Sequence, residues 1–282
     1  MPLAKKLEVN QHLLLKEKEG DNIELIVITL ILLVALTFSP LGLGGGVLFV
    51  PILHYIDGWP LIEAIIGSLS MVWMVALGSS FAHSKGGYSD SKVVRAGRIT
   101  AVPMAFVGTL LAWIAFEYIS DIIIKIFAAA ILVYVIERNL RPSDTITGST
   151  DDLTTYSKVA GLGGLAAGLL GIGGGSIFVT INRRLAGLDT KTAAGTSYLI
   201  GAAVVPMALI SHIVLDQTLP AVIQTTGVGL AITLPLLAFA SAFIGAKFAI
   251  KYLPEKIIRA VFIVAVSISL SRYLWDIIGV VI

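Results

Sequence analysis

The sequence holds no cysteine, which excludes thiol catalysis, disulfides and thiolate metal sites. Its four histidines, His12, His54, His83 and His212, fall at no paired ligand spacing, so neither a metal nor a cofactor is expected. Charge is scarce: Asp, Glu, Lys and Arg make up 13% of 282 residues, against about 25% in soluble domains. The balance of +2 gives no reason to expect nucleic acid as a partner. Neither glycine cluster runs on into Gly-Lys-Ser/Thr, so there is no nucleotide-binding P-loop and ATP hydrolysis is not expected. The apolar stretches show no clustered acid, base or metal set, which argues against an enzyme. They also show no acid deep in a span with an evident partner.

What the chain has in abundance is apolar length. Hydrophobic residues make up 56% of it and the mean hydropathy is +0.92. Several runs approach or exceed the roughly 18–20 residues that cross a bilayer. The fold expected is an all-α polytopic membrane protein of the cell membrane, with the lipid bilayer as its partner. Residues 1–22 mix lysines with acids and read as a solvated or interfacial tail without the layout of a cleaved signal peptide. One apolar segment runs from Ile23 to Ile56, broken only at Pro40–Gly46. Spans follow at about 61–82, 99–118 and 122–136, with a basic loop at 84–98. A polar linker, residues 141–157, separates a first membrane repeat (residues 23–140) from a second (residues 158–282).

The division into repeats rests on a duplication. One constant shift of the chain against itself lays Gly42, Gly44, Gly45 and Gly46 on Gly171, Gly173, Gly174 and Gly175. Without a gap the same shift pairs Phe49 with Phe178, Ala64 with Ala193, Ser68 with Ser197 and His83 with His212. Farther on the register slips slightly, pairing Tyr118, Lys125 and Arg138 with Tyr252, Arg259 and Arg272. An ungapped run of this kind marks an internal repeat.

Positive residues collect on the cytoplasmic side of a membrane. With each glycine-broken segment as one straight span, the 20 Lys and Arg residues divide with little bias. If each segment instead turns back at its glycines, 14 fall on one side and 6 on the other, four of the six being Lys5, Lys6, Lys16 and Lys18 in the tail. The expectation is therefore two inverted repeats, each a glycine-broken re-entrant helix pair plus three transmembrane spans. Both termini lie outside and the linker inside. Inverted repeats whose broken helices meet near the midplane are a recurring transporter plan.

A helix start carries free N–H donors and partial positive charge, and so attracts anions. The helices beginning near Val47 and Ser176 aim those starts at the centre, behind Gly44, Gly45 and Gly46 in one repeat and Gly173, Gly174 and Gly175 in the other. These residues, with the hydroxyls of Ser68 and Ser197, are the candidate site for a small anionic substrate. Ser70, Thr196 and Tyr198 lie beside them. His83 and His212 are candidates for a gate or proton relay, or for interfacial anchors. Asn182 and Gln224 are candidates to line a path.

A duplicated G-x-G-G-G before a short apolar helix, followed by an Ala-x-x-[Gly/Thr]-Ser span, resembles the sulfite exporter TauE/SafE family, also described as the 4-toluene sulfonate uptake permease family. The resemblance runs from about Ile23 onward. It departs from the family pattern at Thr180, where a proline is kept as Pro51 in the first copy. It implies a secondary transporter, an exporter of sulfur oxyanions such as sulfite or organosulfonates. An anion channel using the same central site, or a non-transporting membrane enzyme or subunit, are the alternatives.

Overall fold

The computed structural model describes residues 22–140, 148–150, 153–252 and 255–281. The tail and most of the linker expected from the sequence lie outside the described residues. Among the described residues all regular structure is helical, in ten elements. They are α1 (Asn22–Leu41), α2 (Gly46–Ile56), α3 (Leu61–Lys85), α4 (Ser91–Tyr118) and α5 (Asp121–Leu140), then α6 (Thr154–Leu170), α7 (Gly175–Arg184), α8 (Thr190–Asp216), α9 (Leu219–Tyr252) and α10 (Glu255–Val281). Six stretches are long and apolar enough to cross a membrane: α1, α3, α4, α8, Leu219–Phe248 of α9 and Ala260–Gly279 of α10. The protein is a multi-pass integral membrane protein. Large apolar side chains such as Ile99, Phe106, Val228, Ile232, Val264 and Ile268 stand exposed on α4, α9 and α10, as lipid-facing surfaces require.

The boundaries differ from the sequence reading in two places. The basic stretch at 84–98 is not a loop, because α3 continues to Lys85 and α4 begins at Ser91. Asp90 sets that start, its carboxylate accepting from the Val93 amide, as an N-cap does. Asp189 does the same for α8 through the amides of Lys191 and Thr192. The first broken segment is also unequal. α1 has 20 residues, enough to reach across a bilayer, whereas α2 is close to half that length.

The halves share one element order, and each clasps the other. α4 of the first half packs along α6, the first helix of the second half, and α9 packs against the end of α1. Glycine makes both crossings close. A Cβ on Gly108 would strike the Leu165 carbonyl, and one on Gly245 the Leu36 carbonyl. Leu36 and Leu165 correspond under the shift that aligns the glycines. Small residues that let backbones approach are the usual means of helix association in lipid, where apolar burial between helices gains little. α3 and α8 pack against each other, and α5 pairs with α10.

Candidate functional site

α1 closes in a 3-10 turn at Ser39–Leu41, and α6 closes at Leu170. Both chains then turn on glycine. Gly42, Gly44 and Gly45 hold φ of 77°, 77° and 83°, and Gly171, Gly173 and Gly174 hold 68°, 71° and 69°. Any other residue would cost roughly 1–2 kcal/mol at each such left-handed position, so three of the four glycines in each cluster are accounted for by backbone conformation. The fourth is accounted for by contact. A Cβ on Gly46 would lie 2.5 Å from the Ile172 carbonyl oxygen, and one on Gly175 would lie 2.9 Å from that of Leu43. The two bends therefore touch, backbone to backbone.

Residues on either side of each bend are in contact. Val34 of α1 lies against Gly45, and Gly163 of α6 lies against Gly174 and Phe178. Farther along, the Tyr156 hydroxyl donates to Asn182 Oδ1 at 2.6 Å, joining the start of α6 to the end of α7. Asn182 is fully buried and spends its amide on the Ala193 carbonyl. It lines no path. The helices starting at Gly46 and Gly175 carry no side-chain cap, and the first amides of a helix have no partner within it. Val47 and Ser176 are buried at these starts, and the Ser176 hydroxyl has no hydrogen-bond partner.

Between the bends is a cavity of about 10 Å³ whose walls include Gly44, Gly173, Gly175, Ser197, Tyr198 and Val72. That is space for about one water molecule, so an oxyanion needs the walls to part. Tyr198 has a larger part here than its sequence position suggests. Its hydroxyl donates to the Phe38 carbonyl at 3.2 Å and accepts from the Gly44 amide at 3.4 Å. It thereby ties α8 to the first bend.

Ser68 and Ser197 are brought to the bends, where their hydroxyls meet backbone carbonyls. Ser68 donates to the Gly171 carbonyl at 2.9 Å, and Ser197 donates to Gly42 at 3.2 Å and Gly175 at 3.1 Å. Both hydroxyls are buried. A left-handed bend strands its carbonyls, and buried carbonyls take the nearest donor. Each serine thus braces the bend of the opposite half. Ser70 bonds back to Gly67 within its own helix, and Thr196 accepts from the Asp90 amide.

His83 and His212 lie near the ends of α3 and α8, and both are fully buried. His83 Nε2 lies 3.4 Å from the Ser39 carbonyl, and His212 Nε2 lies 2.6 Å from that of Gly168. Ser39 and Gly168 also correspond between the repeats, at the ends of the first broken helix of each half. Two paired acids escape the sequence reading. Asp216 lies buried 2.6 Å from His212 Nδ1, and Asp276 lies 2.7 Å from Lys125 and accepts from Tyr55 at 3.2 Å. No group of three or more potential metal-binding side chains occurs among the described residues.

A model of the family described as sulfite exporter TauE/SafE matches residues 27–273. No curated protein and no solved structure matches the chain.

Proposed function

Because the chain belongs to the sulfite exporter TauE/SafE family, we propose that it is a secondary transporter of small sulfur oxyanions, sulfite or organosulfonates, working by alternating access. The observation that carries this reading is the meeting of the two glycine bends. Two uncapped helix starts, at Gly46 and Gly175, converge there from opposite halves. Gly44, Gly173 and Gly175 line one small cavity, and the amides of Gly44–Val47 and Gly173–Ser176 with the unpartnered Ser176 hydroxyl would be the donor set an oxyanion takes once the walls part. Ser68 and Ser197 hold the two bends together. The halves, residues 23–140 and 158–282, act as inverted repeats, each with a re-entrant pair followed by three spans. In this reading α1, although 20 residues long, turns back with α2, and α5 serves as the third span of the first half.

The charge of the substrate supplies a driving force. A monovalent anion leaving a cell with a negative interior gains about 2.3 kcal/mol per 100 mV. The test uses purified protein in liposomes loaded with unlabelled sulfite, with labelled sulfite added outside. Transient accumulation of label above equilibrium identifies a carrier. Flux without that overshoot identifies a channel. No flux of sulfite, sulfate, thiosulfate or organosulfonates ends the transport reading.

A further inference from the structure

His212 and Asp216 stand one turn apart near the end of α8, with side chains 0% and 1% exposed. His212 Nε2 lies 2.6 Å from the Gly168 carbonyl oxygen, and Nδ1 lies 2.6 Å from Asp216 Oδ2. A carbonyl only accepts, so the ring nitrogen facing it carries a proton. The other contact then closes only with a second proton between Nδ1 and Oδ2. The pair is either imidazolium against carboxylate or neutral imidazole accepting from a carboxylic acid. Both forms have zero net charge. Removing that second proton would set two acceptors against each other in a site closed to water. Asp216 Oδ1 and the nearby Thr218 hydroxyl are buried without partners, so the ring is the one group that satisfies this carboxyl.

The other half makes the comparison within the same molecule. His83 faces the Ser39 carbonyl at a longer 3.4 Å, and its Nδ1 has no partner. The repeat places Gly87 opposite Asp216, where a matching acid would be. The clamp on the broken helix is duplicated, and the acid is not.

We infer that the His212–Asp216 pair is a proton-binding site whose closure depends on the end of α6, so that anion movement is coupled to one proton. This rests on the transporter reading above. Gly168 sits three residues before the Gly171 bend, so any parting of the bends moves the carbonyl that His212 holds. Losing that contact opens the pair to water, which takes the proton on that side. Among the described residues no other ionisable side chain is bonded to the pair, although three carboxylates share its end of the molecule. Asp90 meets Thr196, and Arg98 meets the Leu199 carbonyl, so α4 and α8 run parallel and Glu117 reaches the same end as Asp216. α3 brings Glu63 there, which accepts from Thr225 of α9, and the connection before it brings Asp57. α6 and α9 carry no ionisable side chain in the turns nearest the pair.

The test uses full-length protein in liposomes with an internal pH indicator and labelled sulfite, with and without an imposed pH gradient. Sulfite carries its own titrating proton, so proton movement is read as the difference between wild type and Asp216→Asn under identical conditions. The expected result is gradient-driven accumulation in the wild type. The ratio of that accumulation to ungraded exchange falls at least about tenfold in Asp216→Asn. Asp216→Glu restores part of it, and His83→Gln leaves the ratio in place. An unchanged ratio in Asp216→Asn overturns the inference, as does wild-type sulfite transport that no gradient drives. A second measurement needs no transport: infrared titration of the purified protein, in which a carboxylic-acid or imidazolium band must disappear in Asp216→Asn. If wild type moves no anion but the band is present, the transporter reading fails while the proton site stands. Absence of the band removes the site.

Discussion

Gly44 and Gly58 form a matched pair for testing whether the bend is a site or merely a turn. Both hold φ of 77°, and a Cβ built on either meets nothing within 4 Å. Alanine at either position therefore incurs the same left-handed strain, roughly 1–2 kcal/mol. At roughly 2–4 °C per kcal/mol for a chain near this size, each variant should unfold roughly 2–8 °C below wild type. The two differ only in surroundings. Gly58 lies in the connection between α2 and α3, whereas Gly44 lines the cavity of about 10 Å³. A methyl group there takes the space an oxyanion needs beside the Gly44 amide. Thermal unfolding in detergent and sulfite counterflow in liposomes should give similar midpoints for the two, with counterflow lower in Gly44→Ala by tenfold or more. A tenfold change corresponds to about 1.4 kcal/mol, comparable with the strain itself, so the Gly58→Ala control is what isolates it. Equal counterflow in the two variants would refute the placement of the anion at this bend.

Ser68→Ala and Ser197→Ala should each lower stability, by about 1–3 kcal/mol, since each leaves a buried bend carbonyl unsatisfied. Ser197→Ala should lose about as much as Ser68→Ala, because its single proton is shared between two carbonyls. A loss of sulfite affinity with an unchanged unfolding midpoint would instead return the hydroxyls to the anion. Asp276→Leu should destabilise by about 1–3 kcal/mol, since it removes the shorter of the two carboxylate contacts on Lys125 and leaves only Asp121 at 3.4 Å, and adding Lys125→Met should recover much of that. Failure to recover in the double variant would show that the pair does not carry the contact. Asp189→Ala should cost about 1 kcal/mol as a lost N-cap. Burial alone would raise this carboxyl, but the Thr192 hydroxyl and the Thr192 and Lys191 amides hold it below the ordinary 3.8. A lowered group stabilises the fold above its unfolded value, so the gap between wild type and Asp189→Ala in pH-dependent unfolding should shrink as pH falls below about 4. A gap that stays constant would disprove that assignment.

The bends were legible because the repeat wrote them twice. Three left-handed turns and one backbone contact admit only glycine, and that demand shows directly in residue type. Partnerships were not legible where they cross the chain. Ser68 and Gly171 are 103 residues apart, and Lys125 and Asp276 are 151. Nothing local distinguishes a hydroxyl that will meet an anion from one that will meet a stranded carbonyl. Asp216 escaped for a related reason. Reading the repeat emphasises what the halves share, and the acid has only Gly87 opposite it. The helix limits at Lys85 and Ser91 were hidden because a charged helix end has the composition of a loop, although long basic side chains extend readily from the last turns of a span.

What the duplication preserves and what it drops divide along a physical line. The contacts repeated in both halves are those that hold a bend: Ser68 and Ser197 on the opposite bend's carbonyls, His83 and His212 on the helix ends. Three contacts made once are supplied by the second half. Tyr198 reaches Phe38 and Gly44 where the first half has Leu69 in its place, Asp216 meets His212 opposite Gly87, and Asn182 meets Tyr156 opposite Leu53. Two chemically identical inverted halves would give inward-facing and outward-facing states of equal energy. Here one bend is latched by a neutral phenol and the other by a pair that must keep its proton to stay closed. On the proposed reading, opening the two sides therefore has different chemical requirements, and the side governed by α6 carries the paired acid that the other lacks.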